Sequence, residues 1–244
     1  MSRSKAQLPI HEDEAGTLPA ARHASVPDDA ARRVIDLDVV SDVVCPWCYV
    51  GKLRLEKAIA MLSPRIRVNV VWRPYELNPW LPPDGMDRQE YRAAKFGSIE
   101  RSRTLDARLT AAGAVEGIAF DFEKIQRTPN TRQAHRLLGL ARRLGKQDAV
   151  AEALFRAFFI EGLDVGDLDM LVAIARAAGL DPNQVIAVLS GDEGRAEVQA
   201  EEDRFRALDI DGVPSFVVNG QVIFSGAGDP RLLADAIETS TQRA

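Results

Sequence analysis

The chain has 244 residues, 46% of them hydrophobic and 27% charged, the proportions of an ordinary globular protein with room for one large domain or two small ones. A formal net charge of −5, with Lys and Arg scattered among acids, excludes the basic footprint of a nucleic-acid binder. No apolar run reaches the roughly 20 residues that cross a bilayer, so no membrane partner is expected.

Residues 1–33 are rich in Ala, Pro and charge, and Pro9, His11, Glu12, Asp13 and Glu14 break every apolar run that a secretory signal would need. The stretch reads as a disordered extension. Without an export signal the protein is expected in the cytoplasm, where thiols stay reduced and a permanent structural disulfide is disfavoured.

In "VIDLDVVS" (34–41), Ile35, Leu37 and Val39 alternate with Asp36 and Asp38, which predicts a strand. Leu55, Ile59 and Leu62 then recur at helical spacing, in a helix that should stop by Pro64. "RIRVNVVW" (65–72) returns to alternation and completes a strand–helix–strand unit, expected to be a parallel, right-handed crossover.

From about 84 to 208 the pattern is helical. Thr128 before Pro129 reads as a helix start, followed by a stripe of Leu137, Leu140, Ala141 and Leu144 that ends at Gly145. Leu154, Phe155, Phe158 and Phe159 form a second stripe, and Leu168, Leu171, Val172 and Ala175 a third. Asp181–Pro182 opens a helix carrying Val185, Ile186 and Leu189. Strands return in "SFVVNGQVIFSG" (215–226), where Asn219–Gly220 signals a two-residue hairpin. Asp229–Pro230 starts a last helix with Leu232, Leu233, Ala236 and Ile237 inward. The order predicts an α/β chain: a four-stranded sheet flanked by helices, built from residues 34–83 and 209–244, with a helical insert over 84–208.

The only two cysteines, Cys45 and Cys48, bracket Pro46–Trp47 between the first strand and the first helix. Open α/β sheets place working groups at that edge, and a helix start presents unpaired N–H groups and a positive dipole end. A thiolate at Cys45 is favoured there over a free cysteine. Cys48, within the first helical turn, can attack the Cys45 sulfur, so an exposed thiolate and a shielded resolving thiol make reversible disulfide chemistry feasible. Three plainer readings stay open: core filling, an inert disulfide, or half a zinc site. Zinc wants three or four protein ligands, and of the three histidines His11 and His23 lie in the extension, so no metal is expected.

"CPWC" after a strand, together with "GVPSFVVNG" (212–220), resembles a thioredoxin-fold protein of the DsbA superfamily. The chain is most similar to the FrnE-like branch of dithiol–disulfide oxidoreductases and isomerases, through "SDVVCPWCYVGKLRLEKA" (41–58), "WRPYELNP" (72–79), "GMDRQEYRAAKFG" (85–97), "TPNTRQAHRL" (128–137) and "GVPSFVVNGQVIFSGAG" (212–228). The resemblance spans about residues 34–240 and implies a thioredoxin-like fold with an inserted helical domain. It implies that Cys45 is the nucleophile, Cys48 the resolving thiol and Pro214 a cis-proline facing them. Val213 would offer backbone to an extended substrate. Without the resemblance, Pro214 reads equally well as the start of an edge strand.

Trp47 and Tyr49 are expected to shape the surface around Cys45, Tyr49 with packing as the alternative. His135, on the insert, is expected to border the cleft and assist proton transfer, or else to be structural. Asn78 is expected near the cleft, and Ser225, expected just after the last strand, would by the resemblance lie where related glutathione-using branches hold the glutamyl end of that peptide.

The expected function is a cytoplasmic thiol–disulfide oxidoreductase or isomerase working through a mixed disulfide. It needs no bound cofactor, with glutathione as a candidate co-substrate and a disulfide-containing protein or small thiol as substrate. The alternative is a glutathione-dependent isomerase or transferase similar to hydroxychromene-carboxylate isomerase or kappa-class glutathione transferase. Those branches commonly carry serine at the nucleophile position, a departure from Cys45. A binding module with idle thiols is the non-enzymatic alternative, and a homodimer through exposed faces of the insert is compatible with the pattern without being demanded by it.

Overall fold

The computed structural model describes residues 33–241; the extension expected over 1–33 lies outside the described residues except for Arg33, which opens the first strand. Strand β1 (Arg33–Ser41) runs parallel to β2 (Ile66–Pro74), joined by helix α1 (Pro46–Met61). Strand β5 (Ser215–Val218) pairs antiparallel with β1, and β6 (Gln221–Ser225) with β5, which gives the order β2-β1-β5-β6. Asn219 and Gly220 both take positive φ, 51° and 73°, the geometry of a tight hairpin turn. Helix α9 (Pro230–Ser240) follows, capped by the Asp229 side chain.

Ile35, Leu37 and Val39 are buried on the sheet face that carries α1 and α9. Val40 and Val217 point the other way, into a smaller cluster with Tyr75, Phe205 and Ile210. Asp38 on that second face is not stranded, because the Arg73 guanidinium reaches it from β2 at 2.6 Å.

Between β2 and β5 the chain is helical: α2 (Arg88–Phe96), α3 (Ile99–Glu116), α4 (Arg132–Arg143), α5 (Gln147–Phe159), α6 (Leu168–Ala177), α7 (Pro182–Ser190) and α8 (Arg195–Arg206). A short ribbon, β3 (Met86–Asp87) with β4 (Arg127–Thr128), interrupts them. Gly145 ends α4 at φ 68°, as its position predicts.

Several local expectations need correction. The helix expected from Thr128–Pro129 starts at Arg132, because Thr128 pairs with Met86 in the ribbon. Thr131 is the cap residue, with no side-chain bond of its own, and Asn130 before it accepts at Oδ1 from the Arg132 N–H at 3.0 Å. Leu144, Ile186 and Leu232 face solvent, the last 59% exposed. In α7 and α9 the core positions go to Val188 and Ala234 instead, and Leu144 caps α4 after the stripe has turned away.

Candidate active site

Cys45 is the N-cap residue of α1, in extended conformation, and Pro46 occupies the first turn, where its missing N–H costs nothing. The Cys45 carbonyl accepts from the N–H groups of Cys48 (3.0 Å) and Tyr49 (3.4 Å), so the first turn of α1 closes on the cysteine itself. The free N-terminal amides and the positive helix end therefore surround the Cys45 position.

The two thiols occupy different environments. Both are reduced, and Cys48 is fully buried. Burial, then hydrogen bonding and charge from the neighbouring Cys45 sulfur, hold the Cys48 thiol well above the ordinary cysteine range; Ser41 and the Asp42 backbone only partly oppose them. Cys45 is less open than its sequence context suggests, at 6% exposed. Its cover is the loop before β5: the Cys45 S–H donates to the Val213 carbonyl at 3.6 Å. The Val213–Pro214 peptide bond is cis, and Pro214 O accepts from the Gly226 N–H at 2.7 Å, which ties this loop to the end of β6. Among the described residues the Val213 N–H has no hydrogen-bond partner.

Gly51 makes this approach possible. A Cβ there would stand 2.8 Å from Pro214 Cγ, so only glycine on the second turn of α1 lets the proline loop sit against the helix. The sequence signal was present, a glycine inside a helix, but its partner lies 163 residues away and spacing cannot name it.

The other expected residues separate into three groups. Trp47, 42% exposed, and Asn78 line one cavity of about 370 Å³ with Val44 and Pro46, so both stand beside the Cys45 loop. Asn78 Oδ1 accepts from Tyr91 Oη (2.8 Å) and Lys95 Nζ (3.2 Å). Tyr49 belongs to the core: its ring stacks on Phe155 at 5.1 Å and its hydroxyl donates to Glu152 at 2.8 Å. Ser225 is the last residue of β6, exposed and in register with Ser215 rather than beyond the strand.

His135 does not border that cavity. It is buried on α4, with Nε2 at 3.5 Å from an Asp42 oxygen, and neither ring nitrogen makes a hydrogen bond among the described residues. Burial works against its imidazolium, but Asp42, Glu202 and Glu76 together outweigh burial and raise its pKa above the ordinary histidine value. Asp42, fully buried in the turn before Cys45, was not foreseen. Its carboxylate accepts from the Leu77 N–H at 2.8 Å and its carbonyl from the Cys45 N–H at 3.0 Å. The signal was one acid inside the otherwise apolar "SDVVC". Behind it Glu76 is also buried, its pKa raised first by burial despite the Arg132 guanidinium at 2.8 Å.

Three comparisons bear on this geometry. The model of the DSBA-like thioredoxin domain family matches residues 36–238. The Bacillus subtilis protein YwbO is 28% identical over 195 residues, covering 80% of this chain and 92% of that protein. The crystal structure of the probable DsbA oxidoreductase SCO1869 from Streptomyces coelicolor superposes with a TM-score of 0.79 at 35% identity, over 86% of this chain and 91% of that one. The cytosolic disulfide reductase DsbM from Pseudomonas aeruginosa shares the fold at 17% identity, with a TM-score of 0.59 over 86% of this chain and all of its own.

Proposed function

The chain belongs to the DSBA-like thioredoxin domain family, and on that premise we propose that it is a thiol–disulfide oxidoreductase working through Cys45 and Cys48. The Cys45 thiolate attacks one sulfur of a substrate disulfide, forming a mixed disulfide and releasing the first substrate thiolate, which takes up a proton. The Cys48 thiol then loses its proton and attacks the Cys45 sulfur. The second substrate thiol leaves, the substrate has gained two electrons, and the protein carries a Cys45–Cys48 disulfide. An external dithiol, or two equivalents of glutathione, restores the dithiol. If Cys48 is slow to resolve, the first thiolate can attack another disulfide of the substrate, and the thiolate this frees attacks the substrate sulfur bound to Cys45, which releases Cys45 as a thiolate and leaves the substrate isomerised.

The observation that carries this reading is the position of Cys45, which caps α1 while facing both Cys48 and the Val213 carbonyl. The unpartnered Val213 N–H is suited to a substrate strand laid along the loop. Such a strand would take over the contact that now covers the nucleophile. Glutathione, with Ser225 near its glutamyl end, and a cytoplasmic setting belong to the same proposal. Retention of Cys48 counts against the glutathione-isomerase alternative, in which no resolving thiol is needed.

The test is insulin reduction with a dithiol donor, run beside trapping. Cys45→Ser is expected to lose the activity, and Cys48→Ser to accumulate a mixed disulfide with substrate. Full activity of Cys45→Ser would end the proposal.

A further inference from the structure

The cavity shared by Trp47 and Asn78 has a composition that disulfide exchange alone does not call for. One wall is Val44, Pro46 and Trp47, the residues that flank Cys45 in the chain. The floor is apolar, with Leu77, Leu109, Phe158 and Phe159. The remaining wall comes from α2 and α3 and carries four cations, Arg88, Arg92, Lys95 and Arg108, while no carboxylate among the described residues lines the cavity.

Three of these cations are built in, while Arg108 is exposed. Arg88 lies 5.6 Å from the Phe122 ring centroid, Arg92 4.5 Å from that of Phe96, and Lys95 5.2 Å from that of Tyr91. Asp106, behind the wall, pairs with both Arg88 (3.3 Å) and Arg92 (2.5 Å). Lys95 bonds only to the neutral oxygens of Asn78 and Tyr91, and Arg108 has no ion-pair partner among the described residues. Four positive charges against one carboxylate leave the wall with a strong excess on the side of an apolar, concave surface. Low-dielectric walls lined by one sign of charge concentrate the opposite sign in the cleft between them. Its volume, about 370 Å³, falls at the small end of the range that takes a drug-sized ligand.

We propose that this cavity seats the acidic, apolar part of a small-molecule disulfide, placing its S–S bond against the Cys45 loop. The proposal rests on the dithiol reading and names its substrate class: an organic disulfide whose flat or branched hydrocarbon body carries a carboxylate or comparable anion. The apolar floor takes the body and the α2–α3 cations take the charge. The exchange is the one written above, with the substrate released as two thiols and the dithiol oxidised to its disulfide.

Two measurements separate the pocket from the thiols. In the first, 2-naphthoate and its neutral counterpart naphthalenemethanol are titrated into the full-length protein by calorimetry; this readout does not involve sulfur. The naphthoate is expected to bind more tightly than the alcohol, and Arg108→Glu to weaken it about tenfold, with Arg108→Gln between. In the second, the reduced protein reacts under stopped flow with the dianionic dithiobis(nitrobenzoate) and with neutral dithiodipyridine. The ratio of the two rates is expected to fall about tenfold in Arg108→Glu, and by less in 0.5 M salt than in dilute buffer. Equal binding of acid and alcohol, or a rate ratio that Arg108→Glu leaves unmoved, overturns the proposal. If naphthoate binds as expected while neither disulfide oxidises the protein, the dithiol reading fails and with it the cavity's role as a substrate seat.

Discussion

Adding one methyl group at Gly51 tests the architecture of the candidate site without touching either sulfur. The new Cβ would lie 2.8 Å from Pro214 Cγ, 3.5 Å from Pro214 Cβ and 3.8 Å from Ala227 Cβ. Carbon atoms in contact prefer roughly 3.5–4.0 Å, so the Pro214 ring must retreat by about an ångström. Overpacking of this kind costs about 1–3 kcal/mol. The retreat carries Val213 with it, and its carbonyl stands only 3.6 Å from Cys45 Sγ. Alanine also gains about 0.5–1 kcal/mol of helix propensity, so Gly51→Ala is expected to lower stability by a net of up to about 2.5 kcal/mol and to lower insulin-reduction activity more than general destabilisation explains. Gly139→Ala is the control in the same chain: its Cβ meets nothing within 4 Å, and replacing glycine inside α4 should add about 0.5–1 kcal/mol. Urea denaturation and insulin turnover measure both. A Gly51→Ala protein as stable and as active as the parent would refute the claim that this helix turn positions the loop over Cys45.

Other outcomes follow from the buried polar groups. His135 is held above its ordinary pKa by Asp42, Glu202 and Glu76 against burial, so the folded state holds the proton more tightly than the unfolded one. Its stabilisation is complete below the unfolded value near 6.5 and is lost as pH rises through the folded value, by at most about 1.4 kcal/mol per pH unit. The raised Glu76 acts with the same sign from lower pH. Urea midpoints between pH 6.5 and 8 should thus fall in the parent and stay flatter in His135→Asn; equal slopes would exclude His135 as the titrating group. Arg136 is buried and donates to the carbonyls of Val188, Leu189, Gly191 and Glu193 at 2.6–3.1 Å. Arg136→Met leaves those carbonyls without a donor and should cost at least about 1–3 kcal/mol by thermal denaturation; a loss under 1 kcal/mol would show that water replaces the side chain. Mild oxidant should close Cys45–Cys48, read as loss of both free thiols together, while sequential loss would mean that the sulfurs do not meet.

The sheet, α1 and the helical insert were legible because their signals are local. Alternation in β1 and β2, Asn219–Gly220 in the hairpin, and Asp–Pro before α7 and α9 each act within a few residues. Two kinds of feature were not legible. Thr128 carries a good capping pattern that a long-range pairing with Met86 overrides, since strand partners are chosen by the fold and not by neighbours in the chain. Leu232 and Ile186 fit an apolar stripe on an ideal helix, yet the docking angle of a real one decides which edge of the stripe meets the core. Within the site, the dithiol could be read from its motif, whereas Asp42 against His135 and Gly51 against Pro214 depend on contacts between residues 93 and 163 positions apart. The cationic wall is harder still, because Arg88, Arg92, Lys95 and Arg108 look like an ordinary solvated helix face until the apolar floor opposite them is known.

The proposed chemistry requires two sulfurs three residues apart to behave differently, and their positions at one helix end favour that difference. At the cap, the Cys45 carbonyl accepts the first bonds of α1, its sulfur stands at the positive helix end, and its S–H donates to the Val213 carbonyl. One turn further in, Cys48 is packed against Ser41 and the end of β1 with no route to water, so burial keeps its proton on. In the proposed reaction a mixed disulfide leaves the Cys45 sulfur neutral and bonded, so that it no longer adds to the burial that holds the Cys48 proton. On that mechanism, attack by Cys48 would become easier once the first step has occurred. On that mechanism, the packing that shields Cys48 from solvent would also direct it toward its neighbour.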